Sequence, residues 1–153
     1  MDSAQNLTEL IQKYLQQGRM MQIATVSGNQ PWICTVYYAE DENQNLYWLS
    51  LPTRRHSQEI EHHNKVAIAI PIKHDKNPII GIQAEGDASV VKEAEQIAKV
   101  MEAYTAKYDT GKDFYDNFMA GKNKHLLYRF TPNKISLFDE VNFSDGEKHI
   151  WEK

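Results

Sequence analysis

A chain of 153 residues with a formal net charge of −4 fits one domain, 1–153, with a core of its own. It excludes a nucleic-acid partner, because phosphate-dominated binding needs a basic face. The single cysteine, Cys34, excludes an intrachain disulfide. No run of about 18 apolar residues is present, as a membrane span would need. The opening MDSAQNLTELIQ lacks the basic and apolar regions of a secretory signal. The expectation is a cytoplasmic protein with no membrane partner.

In chain order, Leu7, Leu10, Ile11, Tyr14 and Leu15 recur at helical spacing, with Asn6 and Glu9 as a capping box and Gly18 as the stop. Met20 to Val26 reads as a strand ended by Ser27-Gly28-Asn29. Trp32 to Tyr38 and Leu46 to Ser50 read as the next two strands, with a polar turn from Glu40 to Asn45. Thr53 is placed to cap a helix running to about His63, with Asn64 ending it. Val66 to Ile70 is apolar at every position, the pattern of a strand buried on both faces.

From Ile80 the residues alternate: Ile82, Ala84, Ala88 and Val90 share one parity. Gly86 inside this strand predicts a bulge or a close backbone approach. Helical spacing returns from Lys92 to about Tyr108, and Phe114 to Met119 fits a further short helix. Leu126 to Phe138 is a long extended segment, interrupted at Thr131-Pro132, where a bend or an edge is expected. Asp145-Gly146 signals a hairpin turn. Five to seven short strands with segregated helices give an α+β, mainly β chain, built on a closed or half-closed antiparallel barrel.

The segment Ser50 to His56 is the best candidate for chemistry. A strand leads into a helix N-terminus, whose free N–H groups and partial positive charge favour anions. Ser50 and Thr53 add hydroxyls, and the Arg54 and Arg55 guanidinium forks match phosphate oxygens. The same pattern also fits a capped surface helix with solvated arginines.

His62 and His63 are adjacent on a helix and point about 100° apart, so they do not chelate one metal; no metal site is expected. Cys34, mid-strand, reads as an inert thiol. Trp32, Tyr37, Tyr38, Tyr47 and Trp48 fit either core positions or the wall of a planar-ligand site.

The order of ATVSGNQP, the TVYY strand, NLYWLS followed by TRRHSQEI, VAIAI, GIQAEGDASVV and HLLYRFTPNKISLFD resembles the pyridoxamine phosphate oxidase-like family of FMN-binding split barrels. The likeness runs from about Met20 to Trp151. It implies a six-stranded antiparallel Greek-key split barrel with flanking helices, forming a homodimer with two flavins at the subunit interface.

By position, Ser50 corresponds to a hydroxyl residue near the flavin phosphate and Arg55 to the arginine of a Ser-Arg-Lys step. Arg54 falls where serine is usual, and His56 where lysine is usual. The strand through Thr35 and Val36 would run along the isoalloxazine ring, and Trp151 would reach the flavin of the other subunit. The family oxidase has basic residues where Cys34 and Ala39 align, and its C-terminal arginine-histidine motif has no counterpart here. Pyridoxamine phosphate is therefore not the expected substrate.

The expected function is an FMN-dependent oxidoreductase of unknown substrate, with FAD, a deazaflavin or haem as alternative ligands. The competing expectation is a non-catalytic flavin or haem holder of the same fold.

Overall fold

The computed structural model describes residues 3–153, with side chains from Asn6 onward; the first residues of the 1–153 domain lie outside the described residues. The elements are α1 (Ser3–Gln17), β1 (Met20–Ser27), β2 (Gln30–Tyr37), β3 (Ala39–Glu40), β4 (Leu46–Ser50), α2 (Arg55–His62), β5 (Lys65–Lys73), β6 (Ile80–Val90), α3 (Ala94–Tyr108), α4 (Lys112–Met119), β7 (Leu126–Asp139) and β8 (His149–Glu152). Asn6 and Glu9 are not the cap of α1, because that helix already begins at Ser3.

All strand pairings are antiparallel, in the order β2-β1-β5-β6-β7-β4-β3, with β8 added against β7. The two edges of this sheet, β2 and β3, are neighbours in the chain, separated only by Tyr38. One extended stretch therefore pairs with β1 by its first part and with β4 by its second. This curls the sheet into a split barrel, with the split lying between β2 and β4.

Among the described residues eight strands stand where the resemblance implies six. The bend at Tyr38 divides one stretch into β2 and β3, and the C-terminal hairpin adds β8. The main core fills the barrel around Met21, Ile23, Trp48, Ile68, Ile82 and Phe130, with Ile11 and Leu15 of α1 closing one end. A second cluster, including Tyr47, Met101 and Leu127, lies beneath α3 and α4.

The expectation of a doubly buried β5 is corrected. Val66, Ile68 and Ile70 are buried, while Ala67 is exposed and Ala69 half-exposed. Alanines on the outer parity made an antiparallel strand with one covered face look apolar throughout.

Gly86 does mark a close approach. The β6–β7 register shifts there, opposite Pro132. On its other side Pro132 falls between the β4 pairing, which ends at Phe130, and the β8 pairing, which begins at Lys134. The missing N–H therefore interrupts no ladder. A Cβ on Gly86 would stand 2.1 Å from the Thr131 carbonyl oxygen, whereas one on Gly81 would meet nothing closer than 3.9 Å. Gly86→Ala is expected to lower stability by about 1–3 kcal/mol, the usual cost of overpacking, with Gly81→Ala changing far less. Urea unfolding of both variants checks this; equal midpoints would contradict it.

Candidate functional site

The turn from β4 into α2 stands at the split of the barrel. Ser50 ends β4 opposite Leu126 of β7. Its Oγ lies 2.6 Å from His56 Nε2, and both residues are buried. The two ends of the turn are thus latched together. Burial pulls the His56 imidazole below its usual pKa, the Arg54 guanidinium adds to that, and the Glu59 carboxylate opposes it. His56 is therefore neutral at pH 7, where lysine would carry a full charge.

Thr53 does not cap α2. The residue in the cap position is Arg54, in extended backbone conformation with no side-chain cap bond, and Thr53 sits in the preceding turn. The Ser50–His56 latch and the Arg54 N–H bond to the Leu51 carbonyl shape this turn instead. Arg54 is exposed and makes no ion pair among the described residues. Helix α2 ends at His62, with His63 as its cap.

Arg55 lies against β2, on the face it shares with Thr25 of β1. Its guanidinium carbon lies 4.3 Å from the Trp32 ring centroid, and its Nε donates to Glu59 Oε1 at 3.1 Å. The second Glu59 oxygen accepts from Thr25 Oγ1 at 2.6 Å. Glu59 is buried, and the Thr25 hydroxyl, followed by Arg55, holds its pKa below the ordinary carboxylate value. A groove of about 760 Å³ runs from the Ser27-Gly28 turn past Gln30 to Arg55, Gln58 and Glu59.

Thr35 and Val36 lie on β2, paired with Gln22 and Met21 of β1. Among the described residues no strand pairs with the other side of β2, so alternate backbone N–H and C=O groups there have no ladder partner. Trp32 and Tyr37 are exposed on this strand, while Tyr38, Tyr47 and Trp48 are core. Burial pushes the half-buried Cys34 thiol up to about 11, which keeps it protonated and unreactive.

Trp151 is not near this turn within one chain. It pairs with Ile135, far along β7 from the Leu126–Ser50 pair, and packs against the main core. The structure thus gathers Ser50, Thr53, Arg54, Arg55 and His56 at one turn, sets β2 across from them, and leaves Trp151 apart.

Sequence reasoning missed Thr25 and Glu59. Their signals were a threonine at the buried parity of Met21 and Ile23, and a carboxylate four residues after Arg55.

Thr25→Val is expected to destabilise the fold by about 1.5–3 kcal/mol, the worth of a hydrogen bond to a charged group. Because the Glu59 pKa is lowered in the fold, this bond contributes fully above the ordinary carboxylate range. The gap between variant and wild type should shrink as pH falls through the lowered value. Urea unfolding between neutral and acid pH measures it; a gap that grows on acidification would contradict the assignment.

None of the curated proteins matches the chain in sequence. Among solved structures it is similar to the conserved hypothetical protein Rv2991 from Mycobacterium tuberculosis, with a TM-score of 0.74 at 17% identity, covering 94% of this chain and 89% of that one. It is also similar to a heme binding protein from Mycobacterium smegmatis, with a TM-score of 0.74 at 13% identity, covering 99% of this chain and 59% of that one. HutZ, the heme storage protein from Vibrio cholerae, gives a TM-score of 0.65 at 16% identity, over 95% of this chain and 93% of that one. At these identities the likeness is one of fold. The family model described as pyridoxamine 5'-phosphate oxidase matches residues 7–139, and the chain belongs to that family.

Proposed function

We propose that this protein is a cytoplasmic, FMN-dependent oxidoreductase acting as a homodimer on a small-molecule substrate other than pyridoxamine phosphate. The observation that carries the reading is the β4–α2 turn with its two arginines, one of them lying over Trp32 of β2, a strand whose outer edge has no strand partner among the described residues. In this reading Ser50, Thr53, Arg54 and Arg55 hold the phosphate. His56 contributes a neutral imidazole, and backbone groups around Thr35 and Val36 meet the polar edge of the ring. The charge of the two arginines supports the fit: Arg54 makes no ion pair among the described residues, and Arg55 gives only its Nε to Glu59. When bound, the flavin supplies hydride transfer.

Trp151 would complete the site from a second copy of the chain. The dimer reading draws support from the apolar residues left exposed on one face of the first two strands, Met20, Ile33 and Tyr37. Beside them the small side chains Ala24, Ala67 and Ala69 line an open outer face of the sheet.

A flavin or haem holder without turnover is the second reading. It is favoured by the fold shared with a heme binding protein and a heme storage protein. The visible spectrum of the purified protein separates the ligands, since oxidised flavin and a haem Soret band differ plainly. Anaerobic bleaching of bound flavin by NADH or NADPH within seconds would exclude an inert holder.

Arg55→Ala is expected to weaken FMN binding roughly ten- to hundredfold, the loss of about 1.5–3 kcal/mol from a charge-assisted bond. Lys73→Ala, at the distant end of β5, should leave it unchanged. Riboflavin, lacking the phosphate, should bind weakly and equally to both variants. Isothermal titration checks all three; an unchanged FMN affinity in Arg55→Ala would remove that residue from the site.

Sedimentation at micromolar concentration should give twice 17.7 kDa, since a shared site needs an interface of roughly 2,000 Å² or more. A monomer would overturn the composite site.

A further inference from the structure

We infer that the loop joining α4 to β7 is a binding site for the anionic group of a small organic ligand, whose apolar body rests between Leu51 and Phe114. A pocket of about 640 Å³ there is lined by those two side chains, by Asn117 and Asn123, and by Lys122, Lys124 and His125. No carboxylate lines it, although the chain as a whole carries −4. On the two helices before it Lys99, Lys107 and Lys112 each pair with a carboxylate, to Glu42, Glu40 and Asp116. Lys122 and Lys124 make no such pair among the described residues, so their charge is left for a ligand.

The loop holds its shape without one. The Lys122 N–H bonds to the Asn117 carbonyl at 2.9 Å and the Gly121 N–H to the Phe118 carbonyl at 3.0 Å, closing a turn through Gly121 at φ 72°. Asn123 Oδ1 accepts the His125 N–H at 2.9 Å and lies 2.7 Å from His125 Nδ1. Cations on a backbone fixed beforehand lose less entropy on binding than cations on a loose loop.

The flanking residues tie the pocket to the turn described above. Leu51 follows Ser50 directly, and Leu126, next after His125, is the strand partner of Ser50. Two apolar side chains beside two lysines define the ligand class: a carboxylate, sulfonate or phosphate ester on an apolar or aromatic body.

The test uses 1-anilinonaphthalene-8-sulfonate as probe and N-phenyl-1-naphthylamine, the same rings without the anion, as its control. No flavin is present, so the outcome is independent of the proposed cofactor. Wild type should bind the sulfonate saturably and the uncharged amine much more weakly. The double variant Lys122→Ala/Lys124→Ala should lose at least about tenfold in affinity for the sulfonate and none for the amine, as expected for lost charge-assisted contacts. Lys73→Ala/Lys76→Ala should change neither. Amide chemical shifts moved by the sulfonate should fall at Leu51, Phe114, Asn117 and 122–125. Unaltered sulfonate affinity in the first double variant, equal binding of the amine, shifts centred elsewhere, or no saturable binding to wild type would each overturn the inference.

Discussion

Tyr38 is the pivot on which the barrel turns. The chain is extended on both sides of it, yet pairs with β1 before it and with β4 after it. The side chain is fully buried and donates to the Leu15 carbonyl at the end of α1 at 2.7 Å. Its backbone N–H bonds to the Arg19 carbonyl, and the Tyr108 hydroxyl of α3 meets its carbonyl oxygen. Lys107 lies 4.4 Å from the ring centroid and pairs with Glu40 at 2.5 Å. Burial pulls the Lys107 ammonium below its usual pKa, and the Glu40 carboxylate resists that pull. A Cβ on Gly18 would fall 2.2 Å from the Tyr38 hydroxyl, so glycine is needed there for packing as well as for ending a helix. One residue thereby fixes α1, α3 and both sheet edges relative to one another.

The candidate site is a consequence of that bend. Because β2 leaves β1 to become β3, its outer edge has no strand partner among the described residues, and α2 packs on the face of the β1–β2 pair beside it. Arg55 spans the gap by lying over Trp32, while Glu59 and Thr25 anchor it from behind. This arrangement fixes the plane of one guanidinium and leaves its terminal nitrogens for an anion. At the next position a permanent charge is absent: His56 is buried and bonded to Ser50, so two polar groups satisfy each other inside the fold. This turn is less positive than a Ser-Arg-Lys step, so the proposed phosphate site rests more heavily on its two arginines.

Much of this was legible beforehand. Periodicity placed the helix ending near Gly18, the strands from Met20, Leu46 and Ile80, and the close approach at Gly86, because each depends on neighbours within a few residues. The strand-to-helix step at Ser50 to His56 was visible for the same reason. The cap at Thr53 and the doubly buried β5 were misread. A turn latched by Ser50 and His56 does not need a threonine cap, and alanines on an outer face look the same in sequence as alanines in a core.

The sequence by itself determined most of the element types and the residues that meet at the β4–α2 turn, since these follow from spacing and side-chain chemistry. Only the tertiary structure decided which groups face one another. Thr25 and Glu59 are 34 positions apart, yet share a hydrogen bond. Trp32 meets Arg55 because α2 packs on the face of the β1–β2 pair, where Trp32 is the cross-strand partner of Thr25. Trp151 stands far from Ser50 because both strands that carry them pair with different stretches of β7. Such contacts depend on long-range strand pairing, which local periodicity does not encode.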